Sequence, residues 1–173
     1  MAILKEVRGF VPKIGENCFL AETAAVIGDV TIGDNCSVWY GTVLRGDVNS
    51  ITIGNNVNIQ DAAVIHTLYQ RSKTIIGDNV SIGHNATIHG ATIEENCLIG
   101  MGATVLDNAV VERGAIVAAN ALITSGMRVE GGWIYAGVPA KKIKEVSKEQ
   151  QKDIVERIAN DYIMYASWYK DKN

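Results

Sequence analysis

An aliphatic residue recurs every six positions through most of the chain. The period slips three times, and eighteen positions in this register carry Ile, Val or Leu. They are Ile14, Leu20, Val26, Ile32, Val38, Leu44, Ile53, Ile59, Ile65, Ile76, Ile82, Ile88, Ile93, Ile99, Val105, Val111, Val117 and Ile123. A period of six fits neither an amphipathic helix nor a sheet of longer strands. It is typical of short strands joined by tight corners, three to a coil.

A small residue usually stands four positions after each aliphatic, where it lets the corner close. Cys18, Cys36 and Cys97 occupy this slot in different coils, so we interpret them as core filler rather than as metal or redox groups. The sequence therefore predicts an all-β fold, a left-handed parallel β-helix of hexapeptide repeats with about six coils. The left hand is taken from the likeness to known hexapeptide proteins and not from the period.

The C-terminal part of the chain changes character. The six-residue pattern fades after Ile123, and Ser147 with Gln150 has the spacing of a capping box that opens a helix. Apolar residues then follow at helical spacing, namely Ile154, Ile158, Tyr162, Tyr165 and Tyr169. We expect a β-helix with the metal site over residues 1–140 and a C-terminal helix, within 141–173, packed on the coil.

Composition and charge exclude two kinds of partner. The formal net charge is -3 with a sequence pI near 5.6, so no basic excess exists to neutralise nucleic-acid phosphates. No run approaches the roughly 18 apolar residues of a membrane span, and the first ten residues lack the apolar core of a signal peptide. We expect a cytoplasmic protein that binds neither nucleic acid nor membrane.

Two of the three histidines occupy one slot of the repeat. His66 directly follows Ile65 and His89 directly follows Ile88, three units later, so both lie on the same face in successive coils. Neighbouring strands lie about 4.8 Å apart, and a side chain next to an inward aliphatic points outward. Two such imidazoles can converge on one metal ion at about 2.0–2.1 Å each.

The third histidine, His84, falls on the preceding face near a corner, with Asp61 in the same slot one coil below. A triangular prism keeps two faces apart, so we expect a neighbouring prism to bring His84 to the other two histidines. A homotrimer with threefold symmetry would then hold three shared sites. Arg45 stands one coil below His66, and the polar residues around it and Asp61 either serve the site or form ion pairs that join subunits.

The polar residues together resemble those of the gamma-class carbonic anhydrases, in particular the short bacterial hexapeptide branch whose members are often labelled transferases. The likeness rests on Arg45-Gly46-Asp47, Asn58-Ile59-Gln60-Asp61, His66, His84 and His89, and it covers nearly the whole chain. It implies a homotrimer with zinc, or iron in some members, at each interface, and hydration of carbon dioxide to bicarbonate.

The resemblance also implies a role for each matching residue. His66, His84 and His89 are the implied metal ligands, and Arg45 and Asp47 are implied to join subunits. Gln60 and Asp61 are implied to flank the reacting water, which Gln60 would orient and from which Asp61 would accept a hydrogen bond or a proton. Tyr162 is the candidate for a tyrosine that the bacterial branch brings from its terminal helix, with simple helix packing as the alternative.

The sequence departs from the archaeal archetype of that family in two places. Val48 stands where the archetype has a glutamate, and the loop from Thr67 to Lys73 contains none of the acids that export protons there. We therefore expect slow turnover. Two other functions stay open: a hexapeptide acyltransferase that binds acetyl-CoA between coils, and a metal-binding scaffold protein without fast catalysis.

Overall fold

Three stacks of short strands run the length of the computed structural model, which describes residues 1–169 apart from the side chains of residues 154 and 156. The histidine face contains Ile3–Lys5, Val64–His66, Thr87–His89, Thr104–Val105 and Leu122–Ile123. The second face contains Lys13–Ile14, Thr74–Ile76, Thr92–Ile93, Val110–Val111 and Arg128–Val129. The two long strands Ala25–Ile32 and Val43–Ile53 bend around the corner and belong to both of these faces. The helix face contains Phe19–Leu20, Ser37–Val38, Asn58–Ile59, Ser81–Ile82, Leu98–Ile99, Ile116–Val117 and Trp133–Ala136.

The six-residue period is the spacing of the inward column on these faces. Ile65 pairs with Ile88 in the next coil and Ile59 pairs with Ile82, and all four side chains are buried. Cys36 and Cys97 are buried as well, as core filler requires, and Cys18 is half-buried. The predicted β-helix of hexapeptide repeats with a C-terminal helix is confirmed.

The prediction of about six coils, ending after Ile123, was wrong. The solenoid has about 7 turns, because Val129 pairs with Val111 and Tyr135 pairs with Val117, each six residues after the preceding inward residue. The period thus continues through a glycine-rich stretch in which the glycines form corners instead of ending the coil. Tyr135 is the inward residue of the last turn, next to the antiparallel strand Lys141–Glu145.

The chain leaves the solenoid through a hairpin and a helix. The strand Lys141–Glu145 pairs antiparallel with Trp133–Ala136, so the predicted boundary between residues 140 and 141 falls inside this hairpin. Ser147 caps the helix, and the capping box with Gln150 is present. The helical segments are Lys148–Gln150, the π-helical Gln151–Glu156, which was not predicted, and Arg157–Tyr169.

The C-terminal helix lies against the lower coils of the helix face, where it contacts Phe19–Leu20, Ser37–Val38 and Asn58–Ile59. Val155, Ala159 and Ala166 of the helical segments are buried. The side chain at the predicted apolar position Ile154 and the predicted segment end at 170–173 lie outside the described part of the chain. Among the described residues no helix is long and apolar enough to cross a membrane.

Candidate metal centre

His66 and His89 stand side by side on the histidine face. Their Cα positions pair directly across neighbouring strands, and His66 Nδ1 lies 3.1 Å from His89 Nε2. Both side chains are partly buried. Arg45 continues the same column one coil below, with its Nη2 3.4 Å from His66 Nδ1. The structure therefore brings together the two histidines and the arginine that the repeat register had placed in one slot.

A carboxylate engages the far nitrogen of each of these rings. His66 Nε2 lies 3.0 Å from Asp47 Oδ1, and His89 Nδ1 lies 3.0 Å from both oxygens of Asp107. An ionised carboxylate only accepts hydrogen bonds, so it fixes the proton of each neutral ring on the far nitrogen. The two nitrogens that face each other at 3.1 Å then both present lone pairs, which is an arrangement that favours a cation between them.

Burial and the neighbouring groups lower the pKa of His66, so this ring is neutral near pH 7. Partial burial lowers the pKa of His66, the nearby Arg45 and His89 act in the same direction, and together they outweigh Asp47. Partial burial tends to raise the pKa of Asp47, but hydrogen bonds from Arg45 and His66 outweigh it and lower that pKa. The Arg45 Nη1 to Asp47 Oδ2 ion pair, at 2.6 Å, lies within one chain. A neutral imidazole next to a charged carboxylate is the form of histidine that binds metal ions.

Asp107 was missed by the sequence reasoning. It comes two residues after Val105, which pairs with Ile88, so its carboxylate reaches back across the coil to His89. The rule that placed Asp61 beneath His84 compares equal slots and therefore sets Asp107 against Gly90, so it does not predict the contact of Asp107 with His89. Ser72 also donates a hydrogen bond to Asp107, at 2.5 Å. No rule of the repeat predicts Ser72, because it lies in an irregular insertion.

His84 and its neighbours form a second group at the corner of the helix face. His84 Nδ1 lies 2.9 Å from Asp61 Oδ2, which confirms their predicted proximity one coil apart. The other oxygen of Asp61 accepts a hydrogen bond from the backbone N–H of Tyr40 at 3.3 Å. The buried Gln60 donates from Nε2 to Asn58 Oδ1 at 3.0 Å. This bond leaves the second N–H and the carbonyl oxygen of the amide for another polar group.

Tyr162 of the C-terminal helix joins this second group. It lines a cleft of about 300 Å³ together with Gln60, His84, Met101 and other residues. Its ring packs edge-on against Trp39 at a centroid distance of 5.4 Å. Burial, reinforced by the charge of Asp61, raises the pKa of Tyr162 to about 12. The phenol is therefore a proton donor and not a base near neutral pH.

The two groups do not meet within one chain. Among the described residues, no three His, Cys, Asp or Glu side chains lie close enough together to hold a metal ion. His66 and His89 form a pair on the histidine face, and His84 stands apart from them at the corner beside Asp61. Each of the three histidines nevertheless has one ring nitrogen on a carboxylate and the other turned away from it.

Models of known protein families match the repeat region of the chain, and solved structures share its fold. The family described as bacterial transferase hexapeptide (six repeats) matches residues 12–46, and the hexapeptide repeat of succinyl-transferase matches residues 73–107 and 91–125. These matches define a hexapeptide-repeat protein. Acyltransferases such as UDP-N-acetylglucosamine acyltransferase from Campylobacter jejuni share this fold at 17% identity and a TM-score of 0.66, a likeness that shows the fold alone.

Similar proteins show to which family of hexapeptide-repeat proteins the chain belongs. The chain is 53% identical over 143 residues to a probable carbonic anhydrase from Methanocaldococcus jannaschii, a match that covers 83% of this chain and 89% of that protein. It is 42% identical to the mitochondrial gamma carbonic anhydrase 2 of Arabidopsis thaliana over 94% of this chain. The match spans 60% of the length of that plant protein. The chain belongs to the gamma carbonic anhydrase family.

A solved structure gives the same overall shape. A hexapeptide transferase family protein from Anaplasma phagocytophilum superimposes with a TM-score of 0.92 at 41% identity, covering 96% of this chain and 98% of that one. Proteins this similar in sequence and shape therefore carry transferase as well as carbonic anhydrase names. The choice between the two activities has to rest on the residues of the site.

Proposed function

We propose that the protein hydrates carbon dioxide to bicarbonate at metal sites shared between the subunits of a homotrimer. One observation carries the proposal: the lone pairs of His66 Nδ1 and His89 Nε2 face each other at 3.1 Å, each ring fixed from behind by a carboxylate. We also propose that the metal is zinc and that the protein acts in the cytoplasm.

The donor set fits a divalent metal ion. Two nitrogen ligands of a tetrahedral ion at about 2.0–2.1 Å are about 3.3–3.4 Å apart, close to the separation of His66 Nδ1 and His89 Nε2. Neutral imidazoles leave the full charge on the ion, and a carboxylate behind each ligand is the usual outer partner of a metal-bound histidine. His84, with Asp61 on its Nδ1, offers its Nε2 in the same way.

The proposed trimer follows from where the third ligand lies. His84 stands at a corner of the prism, on another face from His66 and His89, and a corner is the part of one prism that meets the face of the next. A threefold axis would create three equivalent contacts, each with two histidines from one subunit and one from its neighbour. Arg45 and Asp47, on the rim of the same face, would join subunits there.

In the proposed reaction, the metal ion and the side chains of the protein have different roles. A divalent metal ion supplies Lewis acidity, which makes water a nucleophile near neutral pH. Gln60 would orient the small reactant through its carbonyl oxygen and second N–H. Asp61 would hold His84 in place and accept a proton from the reacting water through the oxygen that is not committed to the ring. Tyr162 would donate a hydrogen bond from its protonated phenol.

Proton export limits the proposed rate. The loop from Thr67 to Lys73 and the position of Val48 provide no acidic side chain, so protons would leave only through Asp61 and buffer. We expect hydration that is slow, requires metal and accelerates with buffer concentration.

Stopped-flow measurement of carbon dioxide hydration tests the proposal on three samples: the metal-replete trimer, the same protein after chelation, and the chelated protein reloaded with zinc. The expected result is activity above buffer in the first and third samples only. A metal-replete trimer with no activity above buffer would contradict the enzyme reading. Calorimetric titration with acetyl-CoA would then decide between an acyltransferase and a scaffold protein.

A further inference from the structure

Asp107 contacts His89 from the coil above. Both carboxylate oxygens lie 3.0 Å from His89 Nδ1, and one of them also accepts the hydroxyl proton of Ser72 at 2.5 Å. Because the carboxylate only accepts hydrogen bonds, the imidazole proton has to stay on Nδ1. His89 Nε2, the atom that faces His66, then keeps its lone pair.

The backbone leaves space for this carboxylate. Gly90, directly after His89, is buried with a φ of +61°, and a Cβ there would lie 1.9 Å from Ser72 Oγ and 2.3 Å from Asp107 Oδ1. No other residue type can occupy this position without displacing both groups. Ser72 is itself held in place, since its Oγ accepts a hydrogen bond from the backbone N–H of Leu68 at 3.2 Å.

The carboxylates that contact His66 and His89 differ in their other hydrogen-bond partners. Asp47 divides its hydrogen bonds between His66 and the cation Arg45. Asp107 has the neutral Ser72 as its other side-chain partner, so its negative charge acts mainly on His89. Asp107 therefore polarises His89 more directly than Asp47 polarises His66.

We infer that Asp107 is the positioning residue of His89: it fixes the tautomer and orientation in which Nε2 can bind a metal ion, and Ser72 and Gly90 hold it for this purpose. This inference rests on the proposed function. Asp107 acts through His89 and touches no reactant. Loss of such an outer carboxylate typically weakens metal binding by about 10- to 100-fold.

The test is the zinc affinity of Asp107→Asn, measured in the assembled protein by competition with a chromophoric chelator. Asparagine keeps the size of the side chain and can still pair with Ser72, but it removes the charge. Glu112→Gln is the matched control, because Glu112 is also a carboxylate between coils, pairs with Arg128 and has no histidine partner. We expect Asp107→Asn to bind zinc about 10- to 100-fold more weakly, and Glu112→Gln to bind it as tightly as wild type.

A spectroscopic measurement separates positioning from general damage. The chain has three histidines, so long-range ¹H–¹⁵N spectra of ¹⁵N-histidine protein resolve each ring. We expect His89 to carry its proton on Nδ1 in wild type and in the Glu112→Gln control. In Asp107→Asn we expect a measurable fraction with the proton on Nε2.

The outcomes are distinct. If wild type binds no zinc, the proposed site and this inference both fail. If wild type binds zinc and Asp107→Asn binds it equally well, or if Glu112→Gln loses as much affinity, this inference alone is overturned. If Asp107→Asn does not assemble, Ser72→Ala decides: a few-fold loss of affinity with a mixed His89 tautomer supports the inference, and unchanged values overturn it.

Discussion

The adjacent residues Ile75 and Ile76 offer a direct test of the register from which the site is derived. Ile76 belongs to the inward column of the second face and is 1% exposed, whereas Ile75 points outward and is 45% exposed. Replacing each by alanine removes the same three carbon atoms at neighbouring positions. Any difference in the free energy of unfolding therefore reports which way each side chain points.

The expected magnitudes differ clearly. Burying three methyl or methylene groups is worth about 2.4 kcal/mol at about 0.8 kcal/mol each, and the cavity left behind raises the cost of Ile76→Ala to about 3 kcal/mol, within the usual 2–5. Ile75 pairs with Thr52 and Thr92 of the neighbouring strands on the outer surface of this face. Loss of such cross-strand contacts costs about 1 kcal/mol or less.

Urea unfolding of both variants, at one fixed protomer concentration, measures the difference, since assembly makes apparent stability depend on concentration. Unchanged slopes against urea would show that the comparison concerns stability alone. Equal costs for the two variants, or a larger cost for Ile75→Ala, would refute the reasoning. A register wrong by one residue would turn every outward side chain, His66 and His89 included, toward the core.

Three further predictions concern the helix, the tyrosine and the thiols. Tyr162→Phe should lower the hydration rate and leave the zinc content unchanged. The unfolding free energy should change by less than about 0.5 kcal/mol, because the hydroxyl has no hydrogen-bond partner among the described residues. An unchanged rate with lost stability would make Tyr162 a packing residue. Ser147→Ala should cost about 1 kcal/mol at the start of the C-terminal helix, seen as faster amide exchange at Gln150, and unchanged exchange would argue against the cap. Burial raises the pKa of Cys97 to about 12. Iodoacetamide at pH 8 should therefore label Cys97 on the order of 10³ times more slowly than an ordinary thiol. A labelling rate within tenfold of that of a model peptide would contradict the burial.

The sequence predicts the pairing of residues well wherever the six-residue period holds. Ile65 and Ile88, 23 residues apart, could be placed side by side because each unit of the repeat adds the same rise and turn, and His66 and His89 follow from them. Asp61 and His84 were placed by the same rule. A solenoid is favourable for this kind of inference, since each coil contacts mainly its two neighbours.

Features outside the period could not be predicted. Ser72 reaches Asp107 from an insertion whose path depends on tertiary contacts rather than on the repeat. The π-helical turn in Gln151–Glu156 has no sequence signature of its own. The last coil was missed for a different reason: glycines near Val129 and Tyr135 interrupt the pattern of side chains, although they form corners of the solenoid.

The central claim is that each metal site takes His66 and His89 from one subunit and His84 from the next. Trimers of His84→Ala alone or His66→Ala alone should bind little zinc, because each site loses one of three ligands. When the two variants are unfolded together and refolded at equal amounts, three quarters of the trimers are mixed by random assembly. Threefold symmetry gives each mixed trimer one complete site in three, so zinc binding should return to about a quarter of the wild-type value. If all three histidines served a site within one chain, no combination of the two variants would restore a complete set, and the mixture would bind no more zinc than the separate variants.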